Sequence, residues 1–417
     1  MTTNNQTKQS GFFYGWVNVG TAGVGHLMGV STLVFFTFGI FLTALQNEFA
    51  WSRTSISAAL IFATLTSMVM QPVAGYWSDR VGPKRVILCS IVGFNLVFAS
   101  LYFLTPNLWH LYIVFALLTA TGAGTSPITY CKVITEWFTA RRGIALSLSL
   151  LGVGIGGGLM PELATHYVQT YGWRVAYAAL ALTSFAISFP IISLLLVNTP
   201  KQKNLIAYGQ DVNKTVDSEN YGLTPKEARR NKNFWLMIAT FFLAGVSLNG
   251  LMLHLVPMLT DKGVTPQAAA GMAAVLGLSV SVGRLVLGAC MDKFFAPRVA
   301  LTFMSVPIIG ILLFMFAPIG PLTYLAAACI GFAIGGEIDI VAYFVGRYFG
   351  VKAYSQIYGY IFAAFSVGSG VGPVLMGIAY DTTHNYNNAL MGFVAALVVC
   401  CILLSRISAY PNWQLSK

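Results

Sequence analysis

The run Gly75-Tyr76-Trp77-Ser78-Asp79-Arg80-Val81-Gly82-Pro83-Lys84-Arg85 ends one apolar stretch and starts the next. The glycine, the aspartate and the basic residue of its first six positions return, at the same spacing, in Gly288-Ala289-Cys290-Met291-Asp292-Lys293. Two more landmarks repeat at almost the same shift along the chain. Gly156, Gly158 and Pro161 recur as Gly368, Gly370 and Pro373, and Trp137-Phe138 recurs as Tyr348-Phe349. Three landmarks at nearly one shift mean a chain built twice. A parallel repeat in a membrane relates its halves by an axis along the membrane normal, with a site between them near mid-depth.

Composition sets the solvent. Of 417 residues, 56% are hydrophobic and 9% charged, against about 25% charged in an ordinary soluble domain. Apolar runs of 18 or more residues recur along nearly the whole chain, as bilayer spans require. Spans are expected at 13–46, 53–78, 85–105, 109–137, 142–169, 173–198, 233–260, 266–291, 298–318, 322–349, 354–380 and 388–409. Each meets or approaches the ~20 residues that ~30 Å of hydrocarbon demands. Backbone polar groups in lipid must bond within their own segment, so the spans are helices. The expected fold is all-α: twelve transmembrane helices in two pseudo-symmetric six-helix halves, 1–198 and 233–417. A polar linker, 199–232, joins them, and Thr224-Pro225 within it reads as the start of a short surface helix.

The net charge of +11 does not mark a nucleic-acid binder, because the basic residues are not gathered in one patch. Of the 24, Arg53, Arg174 and Lys262 fall on one set of loops, and Lys132 and Arg284 fall inside spans. The other nineteen lie on the opposite loops, the linker and the termini. That bias predicts a multi-pass cell-membrane protein with both termini cytoplasmic, in a bacterial-type inner membrane. The polar start MTTNNQTKQS lacks the h-region of a cleaved signal. The six cysteines all fall inside spans, with no CxxC, and read as packing residues. Gly152–Gly158 is a glycine run without a preceding strand, so it is a close-packing surface and not a nucleotide loop. No P-loop, metal-ligand cluster or hydrolase elbow appears. The chain is expected not to be an enzyme, to hold no metal, cofactor or catalytic group, and to act as a monomer.

The loop from Gly75 to Arg85 resembles the signature of the major facilitator superfamily, and the resemblance implies that fold over the whole chain. Two stretches narrow it. Phe13-Tyr14-Gly15-Trp16 at span 1 and Trp137-Phe138-Thr139-Ala140-Arg141-Arg142-Gly143-Ile144-Ala145 at span 5 resemble the paired signatures of the monocarboxylate transporter family. That resemblance implies symport of lactate- or pyruvate-like anions, usually with a proton. Oxalate-like or aromatic-acid exchange is the alternative within the same fold. Two positions depart from the pattern: Val280 stands where an acid one turn before the span 8 arginine is usual, and Val34 where span 1 carries a lysine. The usual proton relay therefore does not transfer.

Arg284 is the leading site candidate. A charge near the bilayer centre costs at least ~2.5–3.5 kcal/mol on insertion scales and needs a partner. A guanidinium fork matches a carboxylate, so a small organic anion would serve, and the position matches the family's span 8 arginine. An arginine turned from the aqueous vestibule and locked to an acid of the protein itself would overturn that reading and leave a facilitator of unknown cargo. His254, Asn249, Tyr130 and Tyr343 are further candidates for substrate contact. His254 is also a candidate for proton coupling, as are Glu337, Asp339 and Glu162, since intramembrane carboxylates tend to be functional. Glu337 and Asp339 are two apart and face different ways, so either is also a candidate internal partner for Arg284 or Arg347. His26 near mid-depth is a weaker candidate. Gly75, Asp79, Arg80, Asp292, Arg141 and Arg142 are expected to form the gate, with Asp79 opposing a helix N-terminus or a base across the two halves. Lys132 and Glu136, at i and i+4, are expected to pair with each other.

Overall fold

The structure, a computed structural model, describes residues 12–210 and 221–411. The polar N-terminal start, the middle of the linker and residues 412–417 lie outside the described residues. Among the described residues, eleven helical segments are long and apolar enough to cross a bilayer. One of them, Arg142–Leu195, has 54 residues, about 80 Å at 1.5 Å per residue. It turns back at Gly172, whose φ of +80° no helix contains. It is two spans, 142–171 and 173–195, and the count becomes twelve.

In chain order the spans are Gly15–Phe49, Arg53–Val81, Pro83–Phe103, Leu108–Trp137, the pair just described, Lys232–Asp261, Pro266–Lys293, Ala296–Phe316, Pro321–Tyr348, Tyr354–Thr383 and Asn387–Ser405. They are called spans 1 to 12. Three are not the continuous helices the hydropathy predicted. Span 1 is interrupted after Leu27 and resumes through a wide turn at Ser31–Phe36. Span 4 tightens at Ala123–Thr125 and restarts at Pro127. Span 10 stops at Ile334 and restarts at Glu337. Pro127 lacks an N–H and suits a first helical position, and Gly335-Gly336 supplies the second break. Such breaks survive in lipid only where protein or a cavity covers them.

The face carrying the basic loops, called the basic face below, is where the halves are locked together. Asp79 at the end of span 2 accepts the backbone N–H groups of Ser355 (3.1 Å) and Gln356 (2.9 Å) at the start of span 11. Asp292 at the end of span 8 does the same to Gly143 (2.7 Å) and Ile144 (3.0 Å) at the start of span 5. Each carboxylate satisfies free N–H groups at a helix N-terminus and opposes its positive dipole. A Cβ on Gly75 would lie 2.3 Å from Ser355 O, and one on Gly143 2.3 Å from Gly288 O. Farther from this face the approach is looser: at Gly154 and Gly370 an added Cβ would find the nearest atom across at an ordinary contact distance of 3.7 Å.

The linker is fastened at both ends. Tyr208 O accepts Thr139 N and Ala140 N of the 4–5 loop, and Tyr221 O accepts Val351 N and Lys352 N of the 10–11 loop. The two loops follow Trp137-Phe138 and Tyr348-Phe349, so each end of the linker clips one copy of the same repeated feature. Thr224 caps the helix Pro225–Arg230 through a capping box with Glu227, as its sequence predicts.

Candidate functional site

Span 8 places Arg284 nine residues from its basic-face end, about 14 Å into the membrane. Only 6% of the residue is accessible. Its Nε donates to Gly335 O at 3.0 Å, in the break of span 10, and its Nη1 donates to Leu150 O in span 5. Asp339 Oδ2 lies 3.3 Å from Nε. The acid missing at position 280 is thus supplied from span 10. Of the two partners proposed for this carboxylate, Arg284 and Arg347, the geometry selects Arg284. The pairing is incomplete. Nη2 makes no hydrogen bond among the described residues, and Asp339 Oδ2 has ionic contact without hydrogen-bond geometry. Asp339 Oδ1 accepts the Ser147 hydroxyl at 2.7 Å. Arg284 and Asp339 therefore both reach into the first half.

Span 10's break explains how two acids are tolerated. Glu337 and Asp339 occupy the first turn of the restarted helix, where negative charge complements the dipole. They diverge as their spacing requires. Asp339 faces Arg284. Glu337, also buried, turns toward Asn249 in span 7 and Cys400 in span 12. The Asn249 amide nitrogen and Glu337 Oε1 sit beside each other without a well-formed hydrogen bond.

Across from Arg284, spans 1 and 4 contribute His26 and Tyr130. Both are buried and their rings meet edge-on, 4.7 Å between centroids. His26 lies within electrostatic range of Arg284. His26 Nε2 and the Tyr130 hydroxyl have no hydrogen-bond partner among the described residues. Orphaned buried polar atoms are rare in folded proteins and call for an explanation. Here several gather around one guanidinium with an unused donor.

Other candidates lie elsewhere. His254 Nε2 is 3.1 Å from Pro373 O, and its ring leans on Tyr386 at 5.8 Å. It sits 22 residues along span 7 from the basic face, about 20 Å of helix rise beyond Arg284's level. Its ring packs on span 11. Tyr343 donates to Met291 O at 2.8 Å and accepts from Arg347 at 3.2 Å, so its hydroxyl ties span 10 to the end of span 8. Glu162 is exposed, near the far end of span 5. None of the three joins the Arg284 cluster.

Among the gate candidates, Gly75, Asp79 and Asp292 form the interlock described above. Arg142 is buried and caps the end of span 4, donating to Phe138 O (2.8 Å) and Thr135 O (3.1 Å). Arg80 lies over the Tyr76 ring at 4.3 Å and Arg141 over Tyr208 at 5.7 Å, both exposed and neither bridging the halves. Lys132 makes its expected i,i+4 ion pair with Glu136 at 3.9 Å, and a second, shorter one with Asp79 at 2.8 Å that its spacing along the chain did not show. The two signature stretches meet. Phe13 packs on Trp137 (5.7 Å) and Phe138 (5.6 Å), and Trp16 on Phe138 (4.9 Å). Ser147 is a site residue that sequence reasoning missed, although Gly143 and Ser147 form the small-residue pair, four apart, that closes on Gly288 and marks a tight helix crossing.

Known proteins resemble this arrangement. The Major Facilitator Superfamily pattern matches residues 27–373. An uncharacterized MFS-type transporter of Escherichia coli K12, YhjX, is 26% identical over 344 residues, 80% of this chain and 81% of its own length. Monocarboxylate transporter 12 of Xenopus laevis is 22% identical over 388 residues, covering 88% and 83%. Among solved structures, the Escherichia coli fucose:proton symporter FucP superposes with a TM-score of 0.70 at 14% identity, covering 94% of this chain and 99% of its own. The proton:xylose symporter XylE gives 0.73 at 13%, covering 95% and 96%. With the family pattern matched over most of its length and the fold shared, the chain belongs to the Major Facilitator Superfamily of membrane transporters.

Proposed function

We propose that the protein is a secondary carrier of small organic monocarboxylates of the lactate or pyruvate kind, coupled to a proton and working by alternating access. The observation that carries this is the Arg284–Asp339 pair with its unspent donor and unpartnered neighbours. Without substrate, the pair is neutral and sits in low dielectric. A substrate carboxylate brought to Nη2 competes with Asp339 for the guanidinium and adds one negative charge. A proton on Asp339 restores neutrality, and an uncompensated buried charge is what the membrane penalises most. Substrate and proton are then required together. His26 and Tyr130 are positioned to hydrogen-bond the guest's remaining oxygens. The internal pairing of Arg284 weakens the simplest version, in which a lone cation waits for an anion, and supports this competitive one.

The orientation that fits the charge bias has the basic face and both termini in the cytoplasm of a bacterial inner membrane. The interlock at that face then describes a carrier opening outward. It would act as a monomer, since each chain has both halves. Counterflow of labelled lactate or pyruvate in proteoliposomes, with Arg284→Ala beside the parent, is the test. Uptake is expected to vanish in the variant, and equal uptake would remove the site. Exchange of oxalate-like or aromatic acids is favoured by Val34, which lacks the family's span 1 lysine. It is distinguished by uptake that ignores a pH gradient.

A further inference from the structure

We propose that the first half carries a site for the headgroup of an anionic phospholipid at the basic face, between spans 3 and 6. A groove of about 510 Å³ opens there, and its lining includes Lys84, Arg85, Asn198, Gln202 and Lys203. Among the described residues no carboxylate lines it. Among the described residues none of the three cations is ion-paired with an acid. Like charges are held together here by the packing around them. Asn198 Oδ1 accepts the Lys84 N–H at 2.9 Å and joins the end of span 6 to the start of span 3. Lys203 Nζ lies 4.7 Å from the centre of the Tyr14 ring, which draws the linker's cation over the same groove. Three unneutralised cations around one opening form a site for a multivalent oxyanion such as a phosphate.

The neighbouring surface favours a lipid over free phosphate. Leu194 and Leu195 of span 6 are 77% and 42% accessible, and Leu96 of span 3 is 68% accessible. In a bilayer this is an acyl-chain wall rising directly from the groove. A phosphodiester in the groove with its chains on that wall satisfies both chemistries at once, as basic pockets between spans do for anionic headgroups.

The fold does not impose this opening. The shift that carries Gly75 onto Gly288 carries Lys84 and Arg85 onto Pro297 and Arg298 in the second half. There the Tyr410 hydroxyl accepts the Ala296 N–H at 2.9 Å, and its ring packs on Phe295 (5.0 Å) and Tyr348 (5.3 Å). The Tyr410 side chain occupies the place of the groove, with the Arg347 guanidinium already over its ring at 5.6 Å. The lipid site needs only the groove and its charges, so it stands apart from the identity of the transported substrate.

The test uses the full chain, purified and delipidated in neutral detergent. Phosphatidylglycerol, phosphatidylcholine of the same acyl chains and inorganic phosphate are titrated separately, with Tm as the readout. Phosphatidylglycerol is expected to raise Tm, and the other two to leave it unchanged. Lys84→Gln/Arg85→Gln/Lys203→Gln is expected to raise the apparent Kd for phosphatidylglycerol about tenfold or more, with Arg298→Gln behaving as the parent. A triple variant that responds like the parent overturns the site. An equal Tm rise with inorganic phosphate alone overturns the lipid. Should the triple variant not fold, Lys203→Gln on the exposed linker is read by native mass spectrometry. A loss of bound phosphatidylglycerol supports the proposal, and undiminished binding rejects it.

Discussion

Ser147 and Asp339 are joined across the interface of the two halves, the serine hydroxyl donating to Asp339 Oδ1 at 2.7 Å. The carboxylate that neutralises Arg284 is therefore also a strut between the two halves. Protonating Asp339, or drawing Arg284 away from it, changes the charge of the site and the hold of one half on the other together.

Asp339→Asn keeps the hydrogen-bonding shape and removes the titration. In proteoliposomes, uptake driven by a pH gradient is expected to fall at least about tenfold, while counterflow of labelled pyruvate at equal pH persists. Gradient-driven accumulation at the parent's level would place the coupling elsewhere. Asp339→Asn should cost more stability than Arg284→Ala. The first leaves the guanidinium a buried charge that cannot shed its proton, for which about 3–5 kcal/mol is typical. The second leaves a carboxylate that can be neutralised by a proton. Thermal unfolding in detergent gives the order.

The two interlock aspartates, Asp79 and Asp292, are geometrically alike but not equivalent. Asp79 also holds Lys132 at 2.8 Å, the two side chains 9% and 7% accessible, whereas the bonds of Asp292 among the described residues are its two to backbone N–H groups. Asp79→Asn is expected to loosen the basic-face closure by about 3 kcal/mol, because it also leaves the buried Lys132 with only its longer contact to Glu136. Asp292→Asn should loosen it by about 1 kcal/mol, the worth of a helix-terminal charge. Labelling of a single cysteine introduced at the basic face of a cysteine-free chain reports closure. Equal labelling in the two variants would contradict the ranking.

Gly75→Ala would put a methyl group 2.3 Å from Ser355 O, a backbone atom that cannot swing aside. The variant is expected to fold, because the clash exists only when the halves meet, and to lose transport by failing to close. An alanine carrier with parental turnover would mean that the span 2–span 11 approach is not needed in the cycle.

His254→Gln should change the apparent KM less than about twofold, since the amide can still donate to Pro373 O. His26→Gln should raise it about fivefold or more. A reversal of these two outcomes would move the binding site roughly 20 Å toward the opposite face.

The spans, their repeat and the arginine were legible because each leaves a trace in one dimension. Apolar length is countable, the Gly75 and Gly288 stretches share a spacing with the other repeated landmarks, and a charge in an apolar run stands out. The partners were not legible. Asp339 reaches Arg284 only because span 10 breaks at Gly335-Gly336, and a hydropathy window reads through two glycines as if the helix continued. Lys132 was legible in part for a related reason. Its pair with Glu136 one turn along the helix is present, but Asp79, 53 residues away, is closer in space. His254 seemed apt by residue type and by its place inside a span, yet only the packing of that helix against span 11 decides which way an imidazole faces.

The two tyrosine carbonyls that fasten the linker set how far the machine can open. Tyr208 travels with one half and Tyr221 with the other, and about thirteen residues of chain reach at most about 45 Å when fully drawn out. The tether therefore leaves rocking free but caps separation. Lengthening it should leave turnover intact, while removing a few residues at a time should stop the cycle abruptly once the remaining reach falls below the span the open-inward posture needs.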